Sequence, residues 1–591
     1  MSEIVLHSGI SRFGISAFTD CTGKLVANCN IPNYDNEESG AFVGSKFTEV
    51  IIGEGVKYIG GYAFAGCSTI SDISLPNSLM LIGSYSFKGC EGLSSLTIPQ
   101  SLRRCGKGAF EGCCALRELH ISDLAAWFGI IFEEATANPT HIAKGLYLNG
   151  TKLSHIEVPQ SVTKIGDYAL YNCQSLNSIT LHNAITEIGN SAFAGCNGLT
   201  ALSLPASITT FGLSPFAECT GELTVDCNIP SATSSANSPF YGSKFSQATF
   251  AEGIKTIGDY ALYNCSTIEQ ITIPKGVEEV GSYALYGCSG KISIDCNIPS
   301  AESEYDSIFY GTSFDEITLG RNVASIGSGT FTGCTGTLIV ECEIPASSSA
   351  SEGAFYGASV TKVVIGEEVA TIGDYAFRGC TKIAEVEFGS SVKSIGSYAF
   401  ANCNALGSIT LPQSVESIGK MAFYNCNSLS TTELGANIAV LSKYAFYGCS
   451  GEIFINGNLP AVASTSEGAF NNAHFTKATF GGSATTIGSY LMGGCSTLES
   501  VTIGAGIASI EKNAFENCTA LTTIYMQGAT PPAIYYYSAQ KSDKSLPENE
   551  GLQIFVPASA LSAYTSYNAG SPNNTAIENW YFYKGYVAPF E

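Results

Sequence analysis

Residues 59–67 read Ile-Gly-Gly-Tyr-Ala-Phe-Ala-Gly-Cys, and residues 82–90 read Ile-Gly-Ser-Tyr-Ser-Phe-Lys-Gly-Cys. The phrase returns as IGDYAFRGC ending at Cys380, IGSYAFANC at Cys403 and IGKMAFYNC at Cys426. Neighbouring cysteines within these runs stand 23 residues apart. A fixed period of that length marks a solenoid, one supersecondary unit stacked many times. A solenoid offers a surface rather than a reaction, so the period bears on fold far more than on function.

The unit between Cys67 and Cys90 shows how a coil is built. Ile70, Ile73 and Leu75 space apolar side chains as a short strand does, with Ser74 pointing outward between two inward residues. Pro76 ends that strand, because proline has no N–H for a ladder. A second short extended stretch runs from Leu79 to Ile82, Gly83 allows a turn, and Phe87 fills the core. The coil is therefore strand, turn, short strand, turn, with too few residues for an ordinary helix. Stacked coils align their strands in a parallel sheet at a spacing of about 4.8 Å.

The spacing varies in a regular way. Five cysteine gaps are 46 residues long, and each hides a coil boundary at Ser45, Ser243, Thr312, Ala358 or Ala473, which splits it into 24 and 22. The phenylalanine three residues earlier is kept, as Phe42, Phe240, Phe309, Phe355 and Phe470. Sixteen cysteine anchors and these five positions predict an all-β solenoid of about 21 coils over residues 1–526. The 24-residue coils carry a distinct strand (LVANCNIP, LTVDCNIP) followed by a Ser/Ala/Glu-rich loop, expected to project from one edge.

Two segments break the rhythm. From Cys113 to Cys173 is 60 residues, and the stretch 122–150 reads as a mixed insertion. Ser122 or Asp123 suits the cap of a short helix through Trp127, and Asn149–Gly150 suits a hairpin turn. The insertion is the candidate protruding feature; the alternative reading is that it merely covers the stack or bends it. Residues 527–591 read as a C-terminal cap, with Trp580, Phe582 and Tyr586 closing the last coil. At the other end, Ile4, Leu6, Phe18 and Cys21 align with Ile73, Leu75, Phe87 and Cys90. The expectation is a truncated start, with signal peptide and N-terminal part absent and Met1 supplied for expression.

Composition narrows the partners. The net charge of −23 repels nucleic acid and anionic lipid, and no run of 18 apolar residues suggests membrane insertion. The 22 cysteines invite a disulfide or metal reading, but sixteen occupy one position per coil, where Ser, Thr or Ala can replace them. A buried thiol ladder is the expectation, with Cys114 as an exposed thiol. No cofactor, metal or catalytic residue is expected: GxSxG, HExxH and CxxC are absent, and the glycines follow the repeat.

The unit LxxIxLPxSVxxIGxYAFxxC resembles the BspA-like, or treponemal-type, leucine-rich repeat. The match is close at LGSITLPQSVESIGKMAFYNC (Leu406 to Cys426) and LSHIEVPQSVTKIGDYALYNC (Leu153 to Cys173), and it covers nearly all of residues 4–526. Leu170, Leu262, Leu285 and Met492 depart from the phenylalanine position but stay apolar. The resemblance implies secretion or cell-surface display, adhesion to host proteins or other cells, and no enzymatic activity.

The expected function is thus a non-enzymatic, monomeric binding protein with a protein ligand. The alternatives are a carbohydrate-binding surface protein or a structural spacer for a missing domain. Binding candidates are Trp127 in the insertion and His120 and His155 on outward strand positions, beside Glu118 and Glu157. Tyr535, Tyr536 and Tyr537 form the candidate sugar-stacking cluster.

Overall fold

The computed structural model describes residues 3–300, 307–349, 351–536, 543–568 and 577–590. The chain divides into two compact units, Met1–Gly290 and Lys291–Glu591. Each is a parallel β-solenoid of the leucine-rich repeat type, as the period predicts.

In the first unit, the longer strands pair with the strand one repeat away. Ser95–Thr97 pairs with Glu118–Ile121, placing Leu96 beside Leu119, and His155–Glu157 pairs with Ser178–Thr180, placing Ile156 beside Ile179. These inward residues are buried, while Ser and Thr alternate outward. A second rank of two-residue strands runs opposite, as in Leu81–Ile82 with Arg104–Cys105. Cys105 pairs with Ile82 in the place of a core isoleucine and is fully buried. The second unit repeats the scheme: Ser408–Thr410, Thr431–Leu434, Ser450–Ile455, His474–Phe480, Ser500–Ile503 and Thr523–Met526 lie side by side.

The 24-residue coils carry a local irregularity in their strand pairing. Thr220–Val225 and Lys244–Phe250 pair in parallel, but the register shifts between Gly221 and Glu222. The same shift falls between Gly23 and Lys24 and between Gly451 and Glu452. A bulge of this kind absorbs one residue and restores the inward face to the core.

Two side-chain columns and one backbone feature explain the recurring phrase. Phenylalanines stack from coil to coil, with ring centroids 5.5 Å apart for Phe64–Phe87, 5.1 Å for Phe377–Phe400 and 5.3 Å for Phe400–Phe423. The cysteine lies behind this column. Its Sγ–H donates to the carbonyl of the preceding coil's phenylalanine position: Cys90 to Phe64 O at 3.3 Å, Cys219 to Phe193 O at 3.1 Å, Cys449 to Phe423 O at 3.0 Å. The site needs a small apolar group with a weak donor, and cysteine is both. Serine also fits, and Ser45 and Ser243 lie 3.4 Å from the thiols of Cys67 and Cys265. Of the 22 cysteines, Cys114 is exposed, Cys21 is partly exposed and the rest are buried.

The third feature is backbone geometry. The residue before the anchor cysteine has positive φ, at 71° for Gly89, 54° for Asn172 and 63° for Asn402. Glycine and asparagine tolerate that region best, hence the recurring Gly-Cys and Asn-Cys pairs. The tyrosine of the phrase also sits there (Tyr85 at 56°, Tyr398 at 56°). Such a conformation is costly for a bulky residue and is held here by the packed coils on either side.

Near the C-terminus, Gln553–Pro557 and Val587–Phe590 extend the long-strand sheet beyond Thr523–Met526. Trp580, Tyr564 and Tyr583 are fully buried. Trp580 Nε1–H donates to Pro532 O at 2.7 Å, and the Tyr583 hydroxyl to Leu546 O at 2.6 Å. Phe582 lies flat on Tyr536 with centroids 4.0 Å apart.

Candidate functional site

The repeat is broken once in the first unit, at the insertion, and the break is where the surface departs from repetition. Asp123 caps the helix Leu124–Phe128, accepting from Ala126 N–H at 2.8 Å. Asn149 and Gly150, with φ of 50° and 81°, form the hairpin turn between Gly145–Leu148 and Thr151–Lys152. Both follow from the sequence signals.

Of the two readings of the segment, covering the stack and protruding from it, the structure shows the first. Ile131–Phe132 joins the short-strand rank beside Arg104–Cys105, and Gly145–Leu148 joins the long-strand rank beside Glu118–Ile121. The insertion is thus woven into the stack as an irregular coil. Its apolar residues explain why: Trp127, Phe128, Ile130 and Phe132 are all buried, and a loop carrying them outward would expose them to water. Three of its side chains donate to the backbone of the next coil, and Asn172 of that coil donates back to His141 O at 2.7 Å. Trp127 Nε1–H donates to Ala169 O at 3.1 Å, Asn138 Nδ2 to Tyr168 O at 2.7 Å, and Thr140 Oγ1 to Tyr171 O at 2.7 Å.

Each candidate residue now has a place. Trp127 is 1 % exposed and serves as a wedge between coils, against Phe132. His120 faces outward, with Nε2 at 3.2 Å from Glu118 Oε2 and its ring stacked on Tyr147 at 4.8 Å. His155 is exposed, with Nδ1 at 2.7 Å from Ser178 Oγ. The two histidines are not brought together: their strands belong to different sheets, and the hairpin strand Thr151–Lys152 closes the edge of the first. Tyr535 and Tyr536 are partly exposed, but the Tyr536 ring is covered by Phe582, with the Lys544 ammonium 5.5 Å from its centroid. Tyr537 lies outside the described residues.

Charge around the insertion is unusual for so acidic a chain. Arg103, Arg104 and Arg117 immediately precede it. Arg104 pairs with Glu133 at 2.6 Å, and Lys164 with Glu187 at 2.5 Å. Burial pushes the Glu133 carboxyl up, but Arg104 and the Lys107 N–H outweigh it and hold the group below the usual range. Burial holds His141 neutral, pushing its pKa below the ordinary value.

Between the insertion and the next coil lies a cavity of about 570 Å³, bounded by Phe128, Ile131, Val162 and Lys164. The repeat glycine reports the opening. A Cβ on Gly189 would meet Asp167 Oδ1 at 2.4 Å and Asp167 N at 2.6 Å, whereas one on Gly166 would meet nothing nearer than Ile130 O at 3.8 Å. Gly189→Ala is accordingly expected to cost about 1–3 kcal/mol, and Gly166→Ala less than about 0.5 kcal/mol. Urea titration of the two variants checks this; equal losses would mean the coils are closed at the insertion as elsewhere.

Sequence reading passed over one surface feature. The tyrosine of the phrase, taken there as repeat signature, and the tyrosine that stands three residues later in some coils form half-exposed columns: Tyr260–Tyr283 at 5.2 Å for the first, Tyr263–Tyr286 at 4.7 Å and Tyr424–Tyr447 at 4.9 Å between centroids for the second. Their recurrence at equal spacing was the available signal. The rings cover one another's faces, leaving mainly edges at the surface.

These features define a leucine-rich repeat scaffold whose regular coils carry one irregular, partly cationic break. Six stretches of the chain, residues 1–117, 35–138, 140–238, 233–350, 348–460 and 454–545, match the BspA type leucine rich repeat region, and the chain belongs to this family. It is similar to a leucine-rich repeat protein from Bacteroides ovatus at 24% identity, covering 69% of this chain and 79% of that one, with a TM-score of 0.22. A leucine rich cell surface protein from Faecalibacterium prausnitzii is 17% identical, covering 81% of this chain and 88% of that one, with a TM-score of 0.23. The leucine rich repeat protein of T. pallidum is 24% identical, covering 35% of this chain and 83% of that one, with a TM-score of 0.22. No curated protein matches. Among the described residues, no helix is long and apolar enough to cross a membrane.

Proposed function

We propose that this chain is a non-enzymatic binding protein of the cell surface or extracellular space that holds a protein ligand, in the manner of an adhesin. In this reading residues 1–526 form the binding solenoid, 527–591 its closing segment, and the chain acts as a monomer. The observation that carries the proposal is the break at the insertion. There, an otherwise repetitive, Ser/Thr-rich surface gains a cavity, the exposed side chain of Ile131 and the cations Arg103, Arg104, Arg117 and Lys164. Convergence of apolar and charged groups at an irregular coil suits recognition of a macromolecule. His120 and His155, the residues closest to acid–base chemistry, lie on separate sheets, which weighs against an enzyme.

The test is interferometry against immobilised extracellular matrix proteins and purified glycans, using the full chain. The expected result is saturable binding to at least one protein, unchanged when its glycans are destroyed with periodate. Binding lost after periodate would transfer the function to carbohydrate recognition. No binding to any member of the panel would favour a spacer.

A further inference from the structure

Both strand edges that border the cavity lack partners. In the preceding coils the short-strand rank is continuous: Arg103 N–H donates to Met80 O at 2.9 Å, Gly106 N–H to Ile82 O at 2.8 Å, Ile131 N–H to Arg103 O at 2.9 Å and Glu133 N–H to Cys105 O at 3.2 Å. Beyond the cavity it resumes, with Thr186 N–H on Thr163 O at 2.9 Å and Gly189 N–H on Ile165 O at 2.8 Å. Across the cavity the short-strand rank makes no backbone hydrogen bond among the described residues. Among the described residues, the N–H groups of Thr163, Lys164 and Gly166 have no protein acceptor, and the carbonyls of Ile130 and Phe132 have no protein donor. Exposed, unpaired strand groups of this kind are the donors and acceptors that extended peptides use.

The surface leading to this gap is apolar and cationic. Tyr58, Leu81, Arg104 and Ile131 are register partners on successive short strands. Tyr58 is 42% exposed, Met80 48% and Ile131 59%. Lys57, Tyr58, Met80 and Leu81 border a second hollow of about 410 Å³. Arg103 and Lys57 are exposed and have no carboxylate partner among the described residues. Arg103 is instead held by the carbonyls of Gln100 and Leu102, at 2.8 and 3.1 Å, which fixes its guanidinium beside this lane. In a chain with a net charge of −23, a lane with spare positive charge selects an anionic partner locally. Three strand spacings, about 14 Å, separate Tyr58 from Ile131, a distance that four or five extended residues cover.

We propose that this lane binds an extended acidic peptide of a partner protein. The peptide lies across the short strands, with one bulky aliphatic side chain in the cavity among Phe128, Ile131 and Val162. The adjoining main-chain carbonyl accepts from Thr163 and Lys164 N–H, and the peptide's carboxylates face Arg103 and Lys57. The inference rests on the protein-binding reading above and names its ligand.

Fluorescence anisotropy tests it with two labelled hexapeptides, acetyl-Glu-Asp-Leu-Glu-Asp-Gly and the same sequence with lysine for every acid. The acidic probe is expected to bind at least about tenfold more tightly than the basic one, and to weaken as salt is raised. Ile131→Glu and Arg103→Glu, both at exposed positions, are each expected to weaken it at least about fivefold, with the circular dichroism spectrum unchanged. Equal binding of the two probes, no saturation by the acidic probe at about 1 mM, or affinity unchanged in both variants would overturn the proposal. A protein ligand that still binds the full chain and is not displaced by the acidic probe would overturn the lane alone and leave the protein-binding reading standing.

Discussion

Phe400→Ala is expected to destabilise the second unit by about 3–5 kcal/mol. Phe400 is fully buried, and its ring is nearly parallel to those of Phe377 and Phe423, with interplanar angles of 9° and 3°. Phe388 meets it edge-on at 5.9 Å. Removing the ring leaves a hole that the neighbouring coils cannot close, because each is held by its own ladder to the next. The loss should be local at first. Repeat stacks have stability that adds coil by coil and interface by interface, so a damaged interface opens before distant ones. Hydrogen exchange read by peptide mass spectrometry should show protection falling most between residues 377 and 449, together with an earlier first transition in urea. A stability change below about 1 kcal/mol would mean that the phenylalanine column is not the core of the stack.

The second expectation concerns alkali. Burial pushes the thiols of Cys67 and Cys173 up to about 11, and those of Cys113, Cys219, Cys265, Cys380 and Cys518 up to about 12, from an ordinary value of 9.0. In the unfolded chain these thiols ionise near the ordinary value, whereas in the folded chain they keep their protons. The raised folded values therefore leave stability intact below about pH 9 and withdraw it as the pH climbs from 9 toward 11 or 12. Each such thiol withdraws about 1.4 kcal/mol per pH unit within that window. Seven acting together make the loss steep, and unfolding is expected between about pH 9 and 11. Circular dichroism against pH measures it. The same burial predicts slow alkylation: with iodoacetamide at pH 8, Cys114 and then Cys21 should be modified in the native protein, and the others only in denaturant. Native labelling of several ladder cysteines, or a fold stable at pH 12, would contradict the burial of the thiol column.

The coils were legible because each repeats the same small problem. Alternating apolar residues, a phenylalanine, a Gly or Asn and a cysteine must serve the core in every turn, and their period survives changes at single positions. The thiol ladder could be inferred from the exchange of cysteine for serine at Ser45 and Ser243, which a metal or disulfide would not allow. The helix cap at Asp123 and the Asn149–Gly150 turn were readable because both are local. What could not be read was how the insertion meets its neighbours. Trp127 is equally consistent, as a residue, with an exposed anchor or a buried wedge, and only long-range contacts with Ala169 and Phe132 decide between them. The unpaired edge at Thr163 and Lys164 is invisible for the same reason. Their coil has an ordinary sequence, and the missing hydrogen bonds belong to the irregular coil before it. The tyrosine columns were hidden by regularity itself, since a residue present in most coils reads as scaffold.

The interruption of the short-strand rank also has a mechanical meaning. A solenoid pulled along its stacking direction carries load through the hydrogen bonds between successive coils. Between the insertion and the following coil that load path is absent from both ranks: Ile131–Phe132 does not pair with Lys164–Ile165, and the sheet that ends at Thr151–Lys152 is separate from that of His155–Glu157. The rivets that remain in this region are side-chain hydrogen bonds, those of Trp127, Asn138 and Thr140 to the backbone at residues 168–171 and that of Asn172 back to His141 O. Under shear or traction the first unit would therefore yield here before its regular coils unravel, lengthening at a set point while the phenylalanine and thiol columns on either side stay closed.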